Sequence, residues 1–170
     1  MIKELLPSDF DSILGVVNEA AQAYKGVIPK DRWKDPYMSP EELRGEIESG
    51  VGFHGWIEDN ALLGVMGIQQ LEDTTLIRHS YVLTQHQRRG IGRRLLEHLK
   101  GLAKTPEILV GTWETAAWAI RFYEKHGFRP VPRREKDMLL RKYWNIPERQ
   151  IETSVVLRLR HKTQKPDPNE

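Results

Sequence analysis

The chain has 170 residues, no cysteine, 26 lysines and arginines against 24 acids, and a formal charge of +2. That length suits a single domain with a real core. The near balance of charge excludes a whole-surface attraction to nucleic acid or anionic membranes, and the lack of cysteine excludes disulfides, thiolate nucleophiles and cysteine zinc sites. No apolar run approaches the roughly 18 residues of a membrane span, and the first residues carry no secretory apolar segment, so a cytoplasmic protein without a membrane partner is expected.

Residues 1–6 alternate briefly and read as a first strand. Ser8, with Asp11 three residues on, reads as the cap of a helix with the apolar stripe Ile13, Val16, Val17, Ala20, Ala21 and Tyr24, ended by Gly26. Residues 26–40 form a loop rich in aromatics and acids. Ser39-Pro40-Glu41-Glu42 opens a second helix, with Ser39 as cap, proline at the first position and Glu42 reaching back; Leu43 and Ile47 face inward and Gly50 closes it. Strands over 52–58, 62–71 and 74–83, separated by turns at Asp59-Asn60 and Glu72-Asp73, predict an antiparallel meander. After a helix beginning near Ile91 come a buried strand over 108–113, a helix over 114–126 ended by Gly127, and a strand over 128–131. A short helix over 135–143 follows, with Met138, Leu139 and Leu140 as its apolar side, then a final strand over 151–159. Residues 161–170 carry charge and proline without an apolar anchor and read as a disordered tail.

The chemistry concentrates where the third strand hands over to the helix. Ile91, Leu95, Leu99 and Leu102 recur at helical spacing, with Leu96 beside them. The first N–H groups of that helix lack intrahelical partners and carry partial positive charge. Gly90 and Gly92 let an anion approach the backbone, and Arg88, Arg89, Arg93 and Arg94 add charge around the rim. The sum is a site for a pyrophosphate or similar polyanion. Leu95 stands where a dinucleotide fingerprint needs its third glycine, and Arg93-Arg94 where a P-loop needs lysine and a hydroxyl, so neither motif matches.

The pattern that fits is Gln/Arg-x-x-Gly-x-Gly/Ala, here Gln87-Arg88-Arg89-Gly90-Ile91-Gly92. It is similar to the acyl-CoA pyrophosphate loop of the GNAT superfamily of N-acetyltransferases. Downstream, Ala119-Ile-Arg-Phe-Tyr-Glu-Lys-His-Gly-Phe128 resembles the second hallmark of the superfamily, and the resemblance extends over residues 2–157. It implies an α/β fold, a mixed central sheet flanked by helices with splayed central strands, as a single domain over 1–160. It also implies acetyl-CoA as co-substrate, no metal, and transfer of the acetyl group to a primary amine of a small or amino-acid-like molecule.

The resemblance further implies roles for single residues. Tyr123 matches a tyrosine that commonly protonates the departing thiolate, and a phenol with an ordinary pKa of about 10 suits that work; a core tyrosine is the bland alternative. Ala116 stands where many relatives have a pantetheine-contacting asparagine. A backbone N–H near Val82 is the expected oxyanion donor, and Val82, Leu83 and Thr84 should run along the pantetheine arm, with residues 87–93 around the pyrophosphate.

The base is open between His79, whose ordinary pKa of about 6.5 suits proton removal, and Glu72 at the start of the strand. Arg78 would instead orient an acidic acceptor. Strand alternation lets only one of Arg78 and His79 face the cleft, unless a bulge changes the parity. His54 and His98 read as structural, and His126 as a helix-end residue favoured by the dipole.

The acceptor pocket is expected from residues 24–40, the hairpins and residues 133–148. There Trp33, Tyr37 and Trp144 would enclose an apolar or cationic group, and Asp31 and Asp35 would pair with a basic one. Other classes stay open: an acyl-CoA-binding regulatory module without catalysis, or an acetyltransferase of protein lysines or N-termini. A nucleic-acid binder is disfavoured because no stacking platform accompanies the arginines. A homodimer is expected through the β-rich segment 151–159.

Overall fold

In the computed structural model, residues 1–160 are described and the expected tail over 161–170 lies outside them. One mixed sheet holds β1 (Ile2–Glu4), β2 (Gly52–Glu58), β3 (Ala61–Gln70), β4 (Thr75–Val82), β5 (Glu107–Trp113), β6 (Arg129–Pro130) and β7 (Ser154–Arg160), in the order β1-β2-β3-β4-β5-β7-β6. The meander β2–β3–β4 is antiparallel. Its first hairpin turns at Asp59 and Asn60, whose φ of 50° and 62° give the twist that suits a two-residue connection.

The helices are α1 (Phe10–Ala20), α2 (Pro40–Glu48), α3 (Ile91–Leu102), α4 (Ala117–Lys125), α5 (Arg133–Tyr143) and α6 (Glu148–Glu152). Ser39 caps α2 as expected, its Oγ accepting the Glu42 N–H at 3.1 Å while Glu42 takes the Ser39 N–H. Ser8 does not cap α1. Pro7 sets the φ of a 3-10 turn ahead of the helix, and it is the Asp9 carboxylate that accepts the Leu6 N–H, at 2.8 Å.

Three further expectations are corrected. The chain makes a turn after β5, with the Ala116 N–H donating to Trp113 O at 3.0 Å, so α4 starts three residues later than residue 114. Ile151 is in α6, seeded behind Pro147, and the last strand begins only at Ser154. Ile47 and Met138 are exposed, because the inward positions of their helices are taken by Leu43 and Leu140.

Ile91, Leu95, Leu96 and Leu99 of α3 pack with Tyr123 and Phe128 on one face of the sheet. On the other face α1 and α2 cover Phe53 and Val65, and α5 and α6 cover Leu76 and Leu109. β7 lies between β5 and β6, and β6 pairs with it only at Leu157 and Arg158.

Two irregularities position the site. β4 and β5 are parallel and pair only through Thr75–Ile77 and Ile108–Val110; beyond that the strands separate, which is the expected splay. β4 also carries an extra residue. Val65 stands opposite Tyr81, but Gly67 stands opposite Arg78, and His79 between them has φ 53°. Glycine at 67 accommodates this bulge, since a Cβ there would lie 2.9 Å from the Arg78 carbonyl oxygen.

Candidate active site

A cavity of about 1400 Å³ occupies the splay and reaches from the start of α3 to the loop after α1. Its α3 end is an anion cradle. Gly90 takes φ 80°, a conformation that favours glycine, and no side chain among the described residues caps the helix. The amides of the first turn are therefore free for an outside acceptor. Gly92 has an ordinary φ, and a Cβ there would meet Phe122 only at 3.6 Å. Packing does not require a glycine at 92; a polyanion lying against the backbone would. Arg88 and Arg93 border this end. Arg89 does not: its guanidinium is turned to Glu58 at 2.7 Å and His86 Nδ1 at 2.8 Å.

The middle of the cavity is lined by β4. The Leu83 N–H donates to Leu63 O at 2.9 Å. By the alternation of an antiparallel ladder, Val82 and Gly64 then form the pair without mutual hydrogen bonds. The Val82 N–H therefore points away from β3 into the gap, as an oxyanion donor must, while its carbonyl accepts from Gln87 Nε2 at 3.2 Å. The Thr84 N–H is already taken by the Glu19 carboxylate at 3.0 Å, so it does not serve a pantetheine amide.

Tyr123 enters from α4, packed edge-on against Phe122 and Phe128 with ring centroids 5.2 and 5.6 Å away. Burial pushes its phenol up to about 12, against a lowering hydrogen bond with Ser80 of the bulge. The hydroxyl thus stays protonated throughout the neutral and mildly alkaline range.

The bulge has a second consequence. Arg78 and His79 do not split between the faces; both reach the Glu46 carboxylate on α2. Arg78 Nη1 is 3.1 Å and His79 Nε2 3.0 Å from Glu46 Oε2. Burial would raise the Glu46 pKa, but the His79 hydrogen bond and the charges of His79 and Arg78 outweigh it and hold the group below its ordinary value. An ionised Glu46 only accepts, so the hydrogen on His79 Nε2 is fixed by it, and in the neutral ring the lone pair is on Nδ1.

Of the residues expected from sequence, Val82, Gln87, Arg88, Gly90, Ile91, Gly92, Arg93, His79 and Tyr123 line the cavity, as do Asp31, Trp33, Tyr37 and Trp144 of the acceptor end. Leu83, Thr84, Arg89, Ala116 and Asp35 do not. Glu72 lies exposed in the turn before β4, at the opposite end of that strand from the gap, and takes no part. Ala116 is buried among Ile28 and Trp113. His126 borders the cavity, and its pKa is held below the ordinary value by burial and by Lys100 rather than raised by the helix end.

Glu46, Ser80, Tyr81 and Trp113 also line the site, and sequence reasoning missed them; Tyr24, from the expected segment 24–40, lines it too. The only signal for Glu46 was its place on α2 ahead of a histidine-bearing strand. Among the described residues no group of three or more histidines and acids is placed to hold a metal, and no helix is long and apolar enough to cross a membrane.

Comparison with known proteins agrees with this geometry. A family model described as an acetyltransferase (GNAT) domain matches residues 18–139. Among solved structures, the chain is similar to a PaiA N-acetyltransferase from Thermoplasma acidophilum in complex with coenzyme A, at 18% identity and a TM-score of 0.72 over 95% of this chain and 98% of that one. It is also similar to a GNAT-family acetyltransferase from Staphylococcus aureus (18%, TM-score 0.73, covering 95% and 99%). A ribosomal-protein-alanine N-acetyltransferase from Brucella melitensis matches at 15% identity and a TM-score of 0.66, covering 94% and 99%. At these identities the likeness is one of fold.

Proposed function

That this chain belongs to the GNAT family of acetyltransferases is the premise from which we propose its activity: acetyl-CoA-dependent acetylation of a primary amine by direct attack on the thioester. The observation that carries the reading is the gap between β4 and β5. The Val82 N–H, the Tyr123 hydroxyl and the His79–Glu46 pair all border it, with the uncapped start of α3 at one end.

Acetyl-CoA, bound with its pyrophosphate on the amides from Gly90 to Arg93, supplies the activated acetyl group. The Val82 N–H donates to the carbonyl oxygen as negative charge builds there. His79 Nδ1 accepts the proton that the amine must lose, directly or through one water. Glu46 fixes its tautomer and stabilises the imidazolium that results. As the C–N bond forms and the C–S bond breaks, Tyr123 Oη presents its proton to the sulfur.

The test is CoA release across a panel of small amines, amino acids, and lysine or N-terminal peptides. Release with any of them supports the enzyme. Tight CoA binding with no release from any would favour a regulatory module that senses acyl-CoA.

A further inference from the structure

The acceptor end of the cavity has a wall made of rings in contact. Trp33 stacks on Tyr37 with centroids 5.8 Å apart and planes at 24°. Tyr37 tilts onto Tyr24 at 5.4 Å. Tyr24 stacks on Trp118 at 5.8 Å and 27°. The ladder is fixed in place by the Trp113 Nε1–H, which donates to the Tyr37 hydroxyl at 2.8 Å. The last rung, Trp118, is 43% exposed although it lines the cavity. Trp118 thus extends the stacked wall from Tyr24 to the mouth of the cavity, where a ligand entering the cleft meets it.

Charge at this end is already spent. Among the described residues, three carboxylates line the cavity, Asp31, Glu42 and Glu46. Asp31 is paired with Arg149 at 3.0 Å, Glu42 with Lys34, and Glu46 with Arg78 and His79. Each cation beside them has a partner as well: Lys34 has Glu42, Arg78 has Glu46 and the neutral Gln69, and Arg32 has the Asp31 carbonyl oxygen at 3.0 Å and its carboxylate at 3.9 Å. The hydroxyls of Tyr24, Tyr37 and Tyr81 face one another, and burial raises all three, so this wall is neutral. A second ammonium or a carboxylate on the acceptor would have to displace one of these pairs, whereas an aromatic body needs only the ring wall.

Resting on the acetyl-transfer reading above, we propose that the acceptor is a primary monoamine with a flat aromatic body, an arylalkylamine. Its ring lies along the Trp33–Tyr37–Tyr24–Trp118 ladder, and its amine is the one charge it brings. Face-on ring contact and apolar area then supply the selectivity.

The experiment compares kcat/KM for tryptamine and phenethylamine with that for butylamine, 1,4-diaminobutane, tryptophan and a lysine peptide, and repeats the set with Trp118→Ala. Truncating a half-exposed ring leaves the buried core in place; Trp33→Ala is the second variant. The aryl amines should exceed butylamine by about tenfold or more, the range a shaped apolar pocket provides. Trp118→Ala should remove most of that ratio. A preference for the diamine, the amino acid or the peptide overturns the inference and leaves acetyl transfer standing, as does an aryl preference that survives both tryptophan variants. No CoA release from any amine, with no tryptamine binding by calorimetry in the presence of CoA, overturns both.

Discussion

Glu46 and His79 lie 33 positions apart in the chain, yet they meet at 3.0 Å because one extra residue in β4 turns both Arg78 and His79 toward α2. The contact makes a proton acceptor out of a histidine whose partner is fixed. Glu46→Gln keeps the shape but removes the charge, and an amide donates as readily as it accepts, so the tautomer of His79 is no longer set. We expect kcat to fall by about 10- to 100-fold. The pH dependence of stability has a definite sign. The folded pKa of Glu46 is depressed below the ordinary 4.5, so its contribution is present above that value and is lost as pH falls through the folded pKa. Melting temperatures between pH 6 and 3 should therefore fall less steeply in the variant. Parallel curves with unchanged kcat would remove the pair from the mechanism.

The two glycines of the loop should separate binding from folding. Gly90 holds φ 80°, so Gly90→Ala strains the chain by about 1–2 kcal/mol and should lower the melting temperature. Gly92 has helical backbone and room for a Cβ, so Gly92→Val should fold normally while its added carbons stand where the polyanion lies. Calorimetry with CoA should show Kd raised by about tenfold or more, equivalent to roughly 1.4 kcal/mol. Unchanged affinity would place the pyrophosphate elsewhere.

How far the sequence could be read follows from this contrast. The loop from Gln87 to Gly92 is local: six consecutive residues specify the left-handed cap at Gly90 and the free amides that open α3. The meander is legible for the same reason, through turn residues and hydrophobic spacing, whereas the splay came only with the family resemblance. The Glu46 contact was not legible, because it joins α2 to β4 through a bulge, and a single added residue changes which face every later side chain takes. The aromatic ladder lay between these cases. Trp33 and Tyr37 stood out in the loop, but their stacking on Tyr24 and Trp118 depends on where α4 begins, and that start was misplaced by three residues.

A pair of histidines away from the cavity gives a separate pH effect. His54 Nδ1 and His98 Nε2 are 3.2 Å apart, between β2 and α3, and one proton suffices between them. Burial first and the charge of His98 second hold the His54 pKa below 6.5, against a small opposing effect of Glu4. The unfolded chain therefore binds more protons in the window just below 6.5. Stability is full above that pH and is lost as pH falls through the folded value. Melts from pH 8 to 5 should show His54→Gln losing less than the wild type. Equal slopes would mean that the pair protonates without cost.

Tyr123 is where chemistry and packing compete most closely. Its ring is 5% exposed and packs edge-on against Phe122 and Phe128, and its hydroxyl meets Ser80 at the bulge. Tyr123→Phe keeps the ring contacts and deletes one hydrogen bond, a net loss of about 0.5–1.5 kcal/mol, so the melting temperature should drop only slightly. If the hydroxyl delivers a proton to the leaving sulfur, kcat should fall by about 100-fold with KM for acetyl-CoA nearly unchanged. The pH profile discriminates further. A phenol held at about 12 does not titrate between pH 6 and 10, so the alkaline limb belongs to another group. Tyr123→Phe should therefore lower the whole profile without moving either limb. An unaltered kcat would mean that the sulfur leaves unaided. A fall in kcat matched by a large fall in melting temperature would make Tyr123 a core residue whose hydroxyl serves only Ser80.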